Sequence, residues 1–156
     1  MNKIIPLILF MSVSLQSISQ INKNILKSSI FQFSAGIADG SNQAYLFHYS
    51  NSGLFEKWNI KPNGEAWRNK WAKDSAGNTI VGQERFWQSS RALVFTTDFH
   101  HATRFVENRM NEASLVSYAI GHGAKSKKWY WYVADLAIMF GSRSLGFYVS
   151  YEIVFD

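Results

Sequence analysis

The sequence predicts a mainly α-helical domain of three to four helices with a long aromatic-rich loop, leaving room for one or more membrane-embedded helices. Three observations predict it. Apolar and small residues recur at helical spacing over residues 30–49 and again over 91–120. Residues 129–155 form a strongly apolar stretch. Residues 51–90, by contrast, scatter Trp58, Trp67, Trp71 and Trp87 among Gly53, Pro62, Gly64, Gly77 and Gly82, a composition that favours turns.

Composition narrows the classes. A chain of 156 residues with no Cys, 16 Lys+Arg and 11 Asp+Glu is one domain without a disulfide framework, a thiolate nucleophile, a Cys-ligated metal or a lipoprotein acylation site. Two prolines and little low-complexity sequence exclude a collagen-like or disordered chain. No basic helix or nucleic-acid motif is present, so nucleic acid is not an expected partner.

The amino terminus reads as a secretory signal peptide. Lys3 precedes an apolar-dominated stretch at 4–15 and a short polar tail at 16–20. Ser17 and Ser19 stand at the −3 and −1 positions of a cleavage site, giving a signal peptide at 1–19 and a single helical domain at 20–156. About 12 apolar residues are too few to span a bilayer comfortably as a mature anchor, so a cleaved signal is the leading reading and an uncleaved anchor the alternative. The expected location is the periplasm or membrane of a Gram-negative cell envelope.

The first helix, over 30–49, is expected to bend or break near Gly40, and Gly36 and Gly40 form a G-x-x-x-G step that either admits a second backbone or simply places two glycines near a helix end. In the loop, each buried Trp removes roughly 150–250 Å² from water, so the segment is expected to be pinned by its aromatics, with one or two helical turns over 65–73. The helix over 91–120 carries a polar stretch at 108–113, read as exposed or as a break, and Gly121-His122-Gly123 ends it. Residues 129–155 read as a helix apolar nearly all round. Their second half alternates (Leu145, Phe147, Val149, Tyr151, Ile153, Phe155), yet a barrel would need eight such strands.

This last helix is long enough to cross a bilayer, while Asp135, Arg143 and Glu152 weigh against a lipid-exposed span. Asp135 and Arg143 lie about 80° apart around a helix, within reach of one linking water or polar group. Lys125, Lys127 and Lys128 precede Trp129-Tyr130-Trp131-Tyr132 like the basic flank and aromatic belt of a membrane interface, a composition a core helix also uses.

At Trp58-Asn59, Trp67-Arg68-Asn69-Lys70-Trp71, Gly82-Gln83-Glu84-Arg85-Phe86 and Thr97-Asp98-Phe99-His100-His101 the chain resembles a family of small membrane-associated proteins of Bacteroidota and their phages. The resemblance runs over residues 30–155. Pro62 stands later than the proline that often follows W-N there, and Arg68 stands where Lys is commoner. The resemblance implies a helical, membrane-linked protein and supplies no activity.

Two constellations carry possible chemistry. Asp98 and His101, three apart on a helix, either supply two metal ligands or an oriented acid–base imidazole, or form a buried hydrogen bond that ties helices together. His48 is the natural third ligand, with Asp39 behind it, and a divalent metal is the only cofactor such residues suggest. His100 is expected at a surface or interface, and His122 in a turn. Trp67, Arg68, Lys70 and Trp71 place two indoles and two cations together, suited to an anionic lipid or glycan if the indoles stack on one helical side, or else capping the core. No nucleophile elbow, P-loop, dinucleotide fingerprint or glycosidase carboxylate pair is present. The leading reading is therefore a non-enzymatic, exported, membrane-associated protein with an envelope interaction or structural role, its partners membrane lipid and protein. The alternatives are a metal-dependent envelope hydrolase using His48, Asp98 and His101, and a soluble periplasmic binding module.

Overall fold

The computed structural model describes residues 21–60, 69–122 and 126–155. The expected signal peptide at 1–19 lies outside them, as do Trp67, Arg68 and Lys125. The described chain is mainly helical: α1 (Ile25–Phe47), α2 (Gly53–Lys57), strands β1 (Trp71–Lys73) and β2 (Thr79–Glu84), a 3-10 turn (Val94–Thr96), α3 (Phe99–His122) and α4 (Trp129–Tyr148), which winds on as a π-helix (Val149–Val154).

Helix α1 is the axis against which α3 and α4 both pack. Its direction relative to each follows from side-chain ties. Asn24 Nδ2 donates to the Ser117 carbonyl at 3.0 Å, and near the other end His100 Nδ1 lies 2.8 Å from Asn42 Oδ1, so α3 runs antiparallel. Asn22 N donates to Asp135 Oδ1 at 3.3 Å, and the Ser41 and Ser150 hydroxyls meet at 2.7 Å, so α4 runs parallel.

Small residues make this packing possible. A methyl on Gly36 would overlap the Arg143 carbonyl oxygen and stand 2.9 Å from the Phe147 nitrogen, and one on Gly40 would stand 2.6 Å from the Phe147 carbonyl oxygen. Gly146 returns the approach, facing the Phe33 carbonyl across the same crossing. The G-x-x-x-G step therefore lies in a backbone-on-backbone contact, the use to which such steps are suited. Helix α1 begins at Ile25 and passes through Gly40 without a break, because the crossing supports both glycines.

One end of the layer holds the apolar core. Tyr45, Phe55, Ile60 and Phe155 are buried there; Phe55 stacks on Phe155 at 4.6 Å between ring centres and on Tyr49 at 5.5 Å. The Tyr49 hydroxyl donates to the Ile60 carbonyl at 2.6 Å and so pins the segment that follows α2.

The loop differs from expectation at 71–73, where Trp71–Lys73 pairs antiparallel with Thr79–Glu84 instead of turning helically. The intervening turn dictates the hairpin: the Asp74 carboxylate accepts from Ala76 N and Asn78 N at 2.9 and 2.8 Å, and Gly77 supplies a φ of +86°. Turns and the 3-10 segment occupy 85–98, so α3 starts at Phe99, eight residues later than the periodicity placed it, and it runs unbroken through 108–113. Of the alternating residues, Leu145 to Ile153 lie in α4 and its π-helical continuation, and Phe155 closes it. Among the described residues no helix is long and apolar enough to cross a membrane, so the expected membrane-embedded helix is not found.

Candidate functional site

Asp98 stands immediately before α3 and caps it. Its Oδ1 accepts from His101 N at 2.8 Å, and the Asp98 carbonyl accepts from Ala102 N at 3.0 Å. The carboxylate also receives the Thr97 hydroxyl at 3.0 Å and holds His101 Nδ1 at 2.7 and 2.8 Å. Burial works against ionisation of Asp98, but the hydrogen bonds from His101 and Thr97 outweigh it and hold the carboxyl below its ordinary range.

His48 is placed elsewhere, closing α1 and hydrogen-bonding through Nε2 to the Tyr151 hydroxyl on the π-helix. Among the described residues no three His, Cys, Asp or Glu side chains are grouped so as to hold a metal ion. His48 thus ties α1 to the π-helix, whereas the Asp98–His101 pair is part-buried and local to the start of α3, so it does not join helices as expected. His100 lies at the α1–α3 interface on Asn42; burial first, then repulsion from His101 and Arg104, lowers its pKa despite the opposing pull of Asp98. His122 closes α3 and meets the Tyr132 hydroxyl at 3.2 Å.

Of the Trp/basic quartet, Lys70 and Trp71 are described, and Lys70 Nζ lies 5.8 Å from the Trp71 ring centre. Trp71 opens a strand rather than lying on a helical turn. The Lys70 carbonyl accepts from Arg85 N at 3.0 Å and from the Ser89 hydroxyl at 2.6 Å, which closes the hairpin base.

The largest polar constellation was not legible as a unit. Arg143 of α4 donates through Nη1 to Asn111 Oδ1 at 2.8 Å and through Nη2 to Asp39 Oδ2 at 3.0 Å and Glu107 Oε1 at 2.6 Å, joining all three long helices. Arg104 completes it on the other Glu107 oxygen at 2.8 Å. Burial opposes the Arg143 charge, but Glu107 and Asp39 outweigh it and raise its pKa. A second centre lies near the start of α4. Fully buried Asp135 takes Lys127 Nζ and the Tyr118 hydroxyl, whose pKa is pushed up to about 12 by burial and then by Asp135. Asp135 and Arg143 therefore belong to different centres and are not linked, and Glu152 is exposed. Lys127, read as membrane-flanking, is an internal ion-pair partner.

These centres share a pattern that could have found them. The inward stripe of α4 reads Asp135, Met139, Gly146 and then Ser150, and that of α3 reads Thr103, Glu107, Ser114 and Ser117. Apart from Met139, both stripes are polar or small, while many large apolar side chains point outward. Ile120 is 72% exposed, Trp129 74% and Leu26 72%, with Ile30, Tyr130 and Val133 also exposed. By the helix directions these six lie in one half of the layer, where α1 and α4 begin and α3 ends. Lys23, Lys27 and Lys128 are exposed in that same half. Comparison with family models, with curated proteins and with solved structures finds no match.

Proposed function

We propose that this chain is an exported, membrane-associated helical protein of the cell envelope, with an interaction or structural role, that docks on lipid through the half bearing Leu26, Ile30, Ile120, Trp129, Tyr130 and Val133. The observation that carries the reading is the inverted arrangement of that half: the Lys127–Asp135 ion pair, serines and Asn22 inside, and large apolar side chains with three lysines outside. An exposed apolar area of this kind needs a cover. Trp and Tyr suit the headgroup level of a bilayer, and each nearby Lys contributes about 1 kcal/mol on an anionic surface. The signal-peptide layout and the family resemblance agree with this location. Among the described residues no helix is long and apolar enough to cross a membrane, so their contact with lipid is read as a surface one.

Co-sedimentation of the mature chain with vesicles tests it. The protein is expected to pellet with phosphatidylglycerol-containing vesicles, less with pure phosphatidylcholine, and less at high salt. Lys23→Glu with Lys27→Glu should weaken binding at least about tenfold, and Trp129→Ser should weaken it at both salt levels. A chain that stays in the supernatant with both vesicle types contradicts the proposal and favours a soluble module.

A further inference from the structure

Two concavities flank α1 on opposite faces. The larger, about 570 Å³, runs past Ser34, Ala38 and Ser41 of α1 and is closed at one end by Phe155. The hydroxyls of Ser34, Ser41, Thr103 and Ser150 in its wall are already hydrogen-bonded within the chain, so they are not free donors for a ligand.

The smaller, about 310 Å³, is different in kind. One end is polar, made by Gln32, Asn111 and Arg143; the other is apolar, made by Leu115, Leu136, Met139 and Phe140. The polar end has unused donors. Asn111 spends its Oδ1 on Arg143, while its amide NH2 and the Gln32 carboxamide make no hydrogen bond among the described residues. Arg143 commits three of its five N–H groups, to Asn111, Asp39 and Glu107, and retains two.

Charge decides what these donors suit. Arg143 and Arg104 face Asp39 and Glu107 in one network, two cations against two carboxylates, so an anion would meet no uncompensated positive charge. An uncharged carbonyl oxygen needs only N–H donors, and those are present. The volume lies at the lower end of the range for small-molecule sites, which are mostly apolar with a few convergent polar groups.

We propose that this cavity binds a single acyl chain bearing a neutral carbonyl head, an acyl ester of the monoacylglycerol type. The carbonyl accepts from Asn111, Gln32 and Arg143, and the chain lies against Leu115, Leu136, Met139 and Phe140. Leu115, Leu136 and Phe140 are each exposed on their outer sides, so the chain enters from the molecular surface. The inference rests on the membrane reading only for where such a lipid is met.

The test is calorimetric titration of the mature chain with monolauroylglycerol below its aggregation concentration, with laurate as the anionic comparison. Binding of one equivalent is expected, with laurate at least about fivefold weaker. Leu136→Trp, which fills the apolar end, should abolish binding. Gln32→Leu, which breaks no bond within the chain, should weaken it about three- to tenfold. No binding by the parent chain, tighter binding of laurate, or unchanged binding by both variants would overturn the inference; the last outcome would mean adsorption on the exposed apolar half. Vesicle pelleting run in parallel separates the two proposals. Pelleting without ester binding overturns this one alone, and ester binding without pelleting supports it while overturning the membrane reading.

Discussion

Asp98 shows how one side chain serves as cap, acceptor and partner at once, and its consequences are measurable. Its carboxyl ionises more readily in the folded chain than in the unfolded one. The stability it contributes is therefore complete above the ordinary Asp range and is lost as pH falls through the lower folded value. Asp98→Asn should cost about 1 kcal/mol at neutral pH and flatten the acid limb of a melting-temperature profile below about pH 4. Arg143 answers to a different rule, because it holds three acceptors from two other helices. Arg143→Met leaves Asp39 and Glu107 facing each other with Arg104 alone, and urea unfolding should register a loss of about 2–4 kcal/mol. Arg143→Lys should recover only part of it, since a single ammonium cannot reproduce the planar fork. Adding Asp39→Asn and Glu107→Gln to Arg143→Met should restore stability relative to Arg143→Met alone. No further loss beyond the parent, with no gain from the added pair, would mean the network is solvated.

At the scale of elements, the helices were legible where a continuous apolar or small-residue rhythm ran through them. The stretch at 129–155 is α4 and its continuation up to Val154, and 30–49 lies almost wholly within α1. The start of α3 was not legible, because Leu93 and Val94 carry the same rhythm into turns and only the Asp98 cap marks the true boundary. The hairpin escaped notice because its three-residue first strand is too short to show alternation; Asp74 and Gly77 were the signal that a turn lay between strands. Among the candidate site residues, the Asp98–His101 contact was predictable from spacing. The Arg143 centre was not, because its members are 104 and 36 residues apart and only the fold brings them together. The glycines separate packing from propensity. Gly36→Ala and Gly146→Ala each drive a methyl onto opposing backbone and should destabilise by at least about 2 kcal/mol in denaturant titration. Gly141 sits in the same α4 with open space around it, and Gly141→Ala should stabilise by up to about 1 kcal/mol. Equal effects at all three would mean that α1 and α4 do not cross at these glycines.

The whole molecule is organised as an inversion along its length. Its apolar core gathers at the end holding Tyr45, Phe55 and Phe155, where Phe47 and Ile153 are nonetheless exposed, while the opposite half keeps Asp135, Lys127 and the Asn22 that precedes α1 inside and turns apolar side chains outward. That half faces lipid in the proposed function, and the chain's lack of cysteine makes a direct test simple, since any introduced thiol is unique. Single variants Ile120→Cys, Val133→Cys and, on the hairpin, Val81→Cys would each carry a nitroxide label, and the labels' collision rates with oxygen and with a water-soluble nickel chelate would be measured with and without phosphatidylglycerol vesicles. The labels at 120 and 133 are predicted to gain oxygen and lose chelate accessibility on vesicles, while the label at 81 remains as accessible to the chelate as in buffer. Labels at 120 and 133 that stay as open to the chelate as in buffer, or a change confined to 81, would contradict the placement of this half against the membrane.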